Sequence, residues 1–186
     1  QLAAAEQCLR WLGALTELEG SAKLQLTARG KAMLALGTDP RLASMLLAGQ
    51  DFEQQGYVGA QALAALLVCH LEQNKRSRSC DILRQLAQHR SAAYLPQARQ
   101  LLRQLHADPA LLQGPRPEQL TGALLAQAFP DRIAQQRGQG YLLANGTGAV
   151  LPADDELAHS PYLVVADLRL LGKDACTSTA IAYSVR

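Results

Sequence analysis

Three observations predict a mainly α-helical fold with a small β part near the C-terminal end. The 186 residues are 48% hydrophobic but only 4% aromatic, and much of the apolar share is Leu and Ala, the strongest helix formers. Apolar residues recur at three- and four-residue steps as far as Ala128, the spacing of a helix face. Aromatic and β-branched residues, which favour strands, gather only past residue 140. The length suits one or two domains with a sizeable core, which argues against a disordered chain and against a disulfide-stapled miniprotein.

The elements follow in order. Leu2, Ala5, Leu9, Leu12 and Leu15 predict an amphipathic helix that stops near Gly13 to Leu15, with one face in the core. Leu18 to Leu26, with Gly20-Ser21 at the middle and Leu24 alternating with Leu26, reads as a small hairpin or wing. Thr27 caps a helix running to about Leu36, and Asp39-Pro40 sets a capping carboxylate before a first-turn proline for a helix from Pro40 to Ala48. Helix, wing, helix, helix is a winged-helix-like arrangement over residues 1–50. Gln50 to Gly59 is polar with two glycines and reads as a linker.

A helical bundle over residues 51–129 follows. Ala60 to Leu71 is apolar almost all round, which at this length means a buried central helix. Ser77 or Ser79 can open the next helix, with Ile82, Leu83 and Leu86 facing inward. Leu95, Ala98, Leu101, Leu102 and Leu105 form another stripe, and Pro117 starts a helix through Leu120, Leu124, Leu125 and Ala128. The character changes at Phe129-Pro130. Tyr141 to Ala144, Asn145-Gly146, then Gly148 to Leu151 is the strongest hairpin signal, because Asn-Gly takes the positive φ values of a tight turn. Tyr162 to Leu168 and Thr179 to Val185 are further strand candidates, so residues 130–186 read as a partial β domain with too few strands to close comfortably.

Several functions are excluded. The longest uninterrupted apolar stretch, Ala62 to Cys69, is far short of the roughly 20 residues that cross a bilayer. The first residues lack a basic region before an apolar one, and a chain opening on Gln1 is expected to be a piece of something longer. Cys8, Cys69, Cys80 and Cys176 form no C-x-x-C pair, so they read as plain thiols in a reducing, cytoplasmic setting. No phosphate-binding loop, dinucleotide fingerprint, zinc-protease helix or nucleophile elbow is present. His70, His89, His106 and His159 sit on separate elements and read as surface or capping residues. Asp154-Asp155-Glu156 reads as an acidic loop before a strand rather than a cation site.

Charge is more informative. The net charge is only +2, yet Lys75, Arg76, Arg78, Arg84, Arg90, Arg99 and Arg103 lie in one stretch against a single acid, Asp81. Either they form a solvated helical face, or they line a phosphate backbone, with Arg132 and Arg137 adding to it. Sequence-specific duplex reading fits poorly, since the helix after Thr27 is mostly apolar beyond Arg29 and Lys31. Scarce aromatics argue against platforms for stacking bases.

Leu9 to Leu15, Leu26 to Met33 and Asp39 to Leu47 resemble the winged-helix segment that follows the motor of DEAH-type ATP-dependent helicases. Phe129 to Arg137, Tyr141 to Gly146 and Ser160 to Asp167 narrow the resemblance to the bacterial HrpB type. It implies a degenerate winged helix (1–50), a helicase-associated, ratchet-like helical bundle (51–129) and a partial OB-like β domain (130–186), all accessory to two RecA-like motor domains that bind ATP and Mg. Those motor motifs are absent from this sequence, so no catalytic or cofactor-binding residue is expected here, and ATP hydrolysis by the chain alone is not expected. The expected partners are single-stranded RNA or DNA, with Arg84, Arg99, Arg103, Arg132 and Arg137 as phosphate contacts, and the motor domains themselves; no membrane is expected. A protein-docking module and a stand-alone winged-helix DNA binder are the alternative readings.

Overall fold

The computed structural model describes residues 2–18, 20–73, 79–88 and 93–168, together with the backbone of residues 182–184. The order is α1 (Leu2–Trp11), β1 (Leu15–Glu17), β2 (Leu24–Leu26), α2 (Ala28–Ala35), α3 (Pro40–Gln54), α4 (Ala60–Gln73), α5 (Ile82–Gln88), α6 (Leu95–Gln104), α7 (Thr121–Ala128), β3 (Ile133–Arg137), β4 (Gly140–Leu143), β5 (Gly148–Ala149), β6 (Tyr162–Val165) and β7 (Ala182–Ser184). The fold is mainly α with two small antiparallel sheets.

α4 is the centre. Every residue from Ala60 to His70 is buried, and α3, α5, α6 and α7 pack around it. The caps act as their residue types dictate. Thr27 Oγ accepts from Gly30 N, and Asp39 accepts from Arg41 N ahead of Pro40, each satisfying a first-turn donor. α3 does not stop at Ala48 but runs on to Gln54, so the expected linker shrinks to a turn. Glu53 then works as a staple, because its carboxylate accepts from Gly59 N at 2.9 Å and from Gln61 N at 3.0 Å. Asp81, rather than Ser79, caps α5 by accepting from Leu83 N; Ser77 lies outside the described residues. A 3-10 turn, Glu118–Leu120, precedes α7.

α1 departs from expectation. It has no buried residue, and only Cys8 and Leu9 pack partly against the core. Leu2 and Trp11 face solvent.

The larger sheet runs β5-β4-β3-β6-β7. The Asn145-Gly146 turn forms as expected, with Gly146 at φ +85° and Thr147 N donating to Asn145 Oδ1. β3 had no strand signal of its own. Its Gln135-Gln136-Arg137 segment is polar, and pairing on both sides, with β4 and β6, supplies what propensity does not. The Tyr162 to Leu168 candidate ends as a strand at Val165, and of Thr179 to Val185 the structure describes only Ala182–Ser184. One sheet face, with Ala134, Tyr141, Leu143, Leu163 and Val165, closes over Leu151, Leu157 and Cys80. The helices share a second core that extends from Leu12 to Ala166.

Gly30 illustrates how tightly α2 meets the hairpin entry. Thr27 Oγ donates to Gly13 O at 2.6 Å, drawing the helix so close that a Cβ on Gly30 would sit 2.3 Å from Ala14 O. Helix propensity alone would favour Gly30→Ala by about 0.8–1 kcal/mol. The contact reverses the sign: Gly30→Ala should lower stability by at least about 1 kcal/mol, seen as a melting midpoint roughly 2–4 °C lower. A raised midpoint in a thermal melt would contradict the close approach.

Candidate nucleic-acid interface

The five arginines expected to contact phosphate are placed in different environments. α6 buries Ala98, Leu101 and Leu102, which turns Arg99 and Arg103 outward together; both are exposed, and neither has an ion pair among the described residues. Arg103 lies in the last turn, where the helix dipole favours a cation. Arg99 has no such support, and the two guanidiniums repel by a few tenths of a kcal/mol unless an anion is near. Arg84, on α5, is exposed but committed, with Nη2 2.5 Å from Glu156 Oε1. Arg137 is exposed at the end of β3. Lys75, Arg76, Arg78 and Arg90 lie outside the described residues.

Arg132 does not join the exposed set. It is half-buried, donates from Nη1 to Ala166 O at 2.9 Å, and lies 5.2 Å from the Phe129 ring centre. Arg41, at the start of α3, approaches the same ring at 5.5 Å and grips Asp131 through two bonds, Nη1 to Oδ1 at 2.5 Å and Nη2 to Oδ2 at 2.9 Å. Arg41 Nη1 also donates to Ala128 O. Burial alone would lower the Arg41 guanidinium, but the bonds and charge of Asp131 outweigh it and hold the group up. Arg132 is pushed down by burial and then by the charge of Arg41. These contacts join the turn before β3 to the residue after β6.

Other polar candidates are likewise absorbed. Arg29 bonds to Asp51 Oδ2 and to Ser44 O, both at 3.2 Å, so the helix after Thr27 keeps only Lys31 at its start free of that joint. His70, read from sequence as a surface or capping residue, is fully buried: Nε2 lies 2.7 Å from Gln85 Oε1 and Nδ1 3.1 Å from the Tyr94 hydroxyl. Gln85 Nε2 in turn donates to Ser79 O at 2.7 Å. That leaves Oε1 to accept from His70 Nε2–H, so the imidazole ties α4 to α5 and to the residue before α6. The acidic loop is structural too, since Asp155 accepts from Leu157 N and from Cys80 N. Among the described residues, no group of three or more His, Cys, Asp or Glu could hold a metal ion, and no helix is long and apolar enough to cross a membrane.

No protein-family model matches the chain. Over 165 residues, 88% of its length, the chain is 38% identical to the ATP-dependent RNA helicase HrpB of Escherichia coli (strain K12), of which it spans 18%. Two solved structures are similar in fold. One is the E. coli DExH-box NTPase HrpB, with a TM-score of 0.77 and 36% identity, covering 97% of this chain and 20% of that one. The other is the E. coli DEAH/RHA helicase HrpB, with a TM-score of 0.73 and 34% identity, covering 96% of this chain and 21% of that one. The similarity runs through every part of the fold described above, and this chain matches about a fifth of each longer protein.

The thiols give a check on the core. Burial, seconded by nearby carboxylates, pushes Cys69 and Cys80 up to about 12, whereas an unfolded thiol ionises near about 8.5. Iodoacetamide at pH 8 should therefore leave both unmodified in the folded protein and modify both in denaturant, as read by peptide mass spectrometry. By linkage, the thiol contribution to stability is present below about pH 8.5 and is lost as pH rises towards 12. Rapid labelling of either thiol in the folded state would contradict this packing.

Proposed function

Because the chain is related over nearly its whole length to one region of HrpB-type helicases, we propose that it is an accessory region of a cytoplasmic helicase of this kind, which helps bind and guide single-stranded RNA or DNA against the RecA-like motor. ATP and Mg belong to the motor, where hydrolysis supplies the driving force; this chain supplies contacts to the strand. The observation that carries the reading is the outward Arg99 and Arg103 pair on α6, two guanidiniums one helical turn apart with no counter-charge among the described residues. An incoming phosphate would relieve their repulsion, and backbone contacts of this type position a strand without reading its sequence. Arg137, and Arg84 once released from Glu156, extend the same role; Arg132 would act by holding the β part in place.

In this reading the first unit is a degenerate winged helix that docks on the motor. Leu2, Trp11, Leu18, Leu26 and Leu34 all expose large apolar side chains within that unit, which favours a protein partner there over a nucleic acid. The bundle is ratchet-like, and the β part is a partial OB-like domain along the strand.

Titration of the chain with a fluorescent single strand at low salt tests the strand-binding role. Arg99→Glu with Arg103→Glu should weaken binding at least about tenfold and flatten the log K against log salt plot by about two phosphate contacts. Equal affinity and equal slope would overturn the reading and leave the docking module alone.

A further inference from the structure

The second face of the five-stranded sheet is only partly covered. Residues directly opposite one another share a face, so the pairings Ile133 with Val164, Gln135 with Leu142 and with Tyr162, and Arg137 with Gly140 put these side chains on one surface. Val164 is buried in the helical core, beside α7, while its cross-strand neighbour Ile133 is partly open at 38% exposure. Further along the face, Tyr162 is 46% exposed and Leu142 42%, while Gly148, opposite Leu142, adds no side chain and has open space above it. Gln135 Nε2 reaches the Tyr162 hydroxyl at 3.5 Å, which ties the exposed ring to the middle strand.

We propose that this row is a stacking site for one base of a single strand, with Tyr162 as the platform, Leu142 and Gln135 as its floor, and Arg137 as the contact for an adjoining phosphate. The proposal rests on the strand-binding function above and deepens it by adding a base contact to what was a phosphate-only interface. Arg137 lies two residues from Gln135 on the same strand face, roughly 7 Å along, about the span of a nucleotide. No carboxylate shares the face among the described residues, so the surface carries one uncompensated positive charge beside an exposed aromatic ring. A ring left open on its outer face loses water from that face when a base covers it, and such contacts are tolerant of sequence because every base has a π face. The overall scarcity of aromatics does not bear on this point, because a single placed ring suffices.

The test uses the 186-residue chain with two labelled probes, a twelve-nucleotide oligothymidylate and the same strand with abasic sites in place of the bases. The parent should bind the base-bearing strand about tenfold more tightly than the abasic one. Tyr162→Thr, which retains strand propensity, should bring the two affinities together, and Tyr162→Phe should keep them apart. Arg99→Glu with Arg103→Glu should weaken both probes equally. A preserved ratio in Tyr162→Thr, or no ratio in the parent, overturns the stacking site while leaving phosphate-based strand binding intact. No binding of either probe by the parent overturns both.

Discussion

The grip of Arg41 on Asp131 is the constraint on which the arrangement depends. Its two parallel bonds join the first turn of α3 to the 3-10 turn Pro130–Arg132, residues 90 apart in the chain. The same guanidinium bonds Ala128 O at the end of α7, and Arg132, on the far side of Asp131, reaches Ala166 O beyond β6. Phe129 contacts both cations. A partly buried pair of this kind adds little if both partners are replaced by well-packed apolar groups, but losing one partner leaves a charge without compensation, at a cost of about 3–5 kcal/mol. The pair thus acts as a register pin, fixing where the sheet leaves the helices.

What the pin fixes is the direction of the open sheet face, while packing of the helices sets that of α6. With the sheet held against α7, Val164 is covered while Tyr162, Leu142 and Arg137 stay open. On the bundle, the buried side of α6 is set by its packing on α4, which leaves Arg99 and Arg103 outward. Local polar joints serve the same end. Glu53 staples the α3–α4 turn, and His70 with Gln85 and Tyr94 links α4 to the elements beside it. Gln61 Oε1 is the exception, buried without a partner among the described residues; the bonds of Glu53 and His70 hold the helices in one relative setting, in addition to burial of apolar area.

Features that depend on neighbouring residues were legible in the sequence. The all-round apolar run of α4, the Thr27 and Asp39 caps and the Asn145-Gly146 turn each follow from local chemistry. Features set by distant partners were not. β3 is polar and becomes a strand because β4 and β6 flank it. His70 reads as an isolated histidine until Gln85 and Tyr94 arrive from later turns. Arg132 and Arg99 are the same residue type in a basic chain, yet one faces a carbonyl and an aromatic ring and the other faces solvent. Glu53 looked like linker polarity because its role is to cap a helix that starts after it. The tyrosine on the sheet face had no signal of its own, since its exposure depends on where α7 stops covering the strands.

Hydrogen exchange on Asp131→Ala tests the central role of the Arg41 and Asp131 pair most directly. If the pair pins the sheet to the helices, amides of β3 and β6 should lose protection by roughly 100-fold, the factor that corresponds to about 3 kcal/mol, while amides in the middle of α4 lose much less. Unchanged protection in β3 and β6 would contradict the claim.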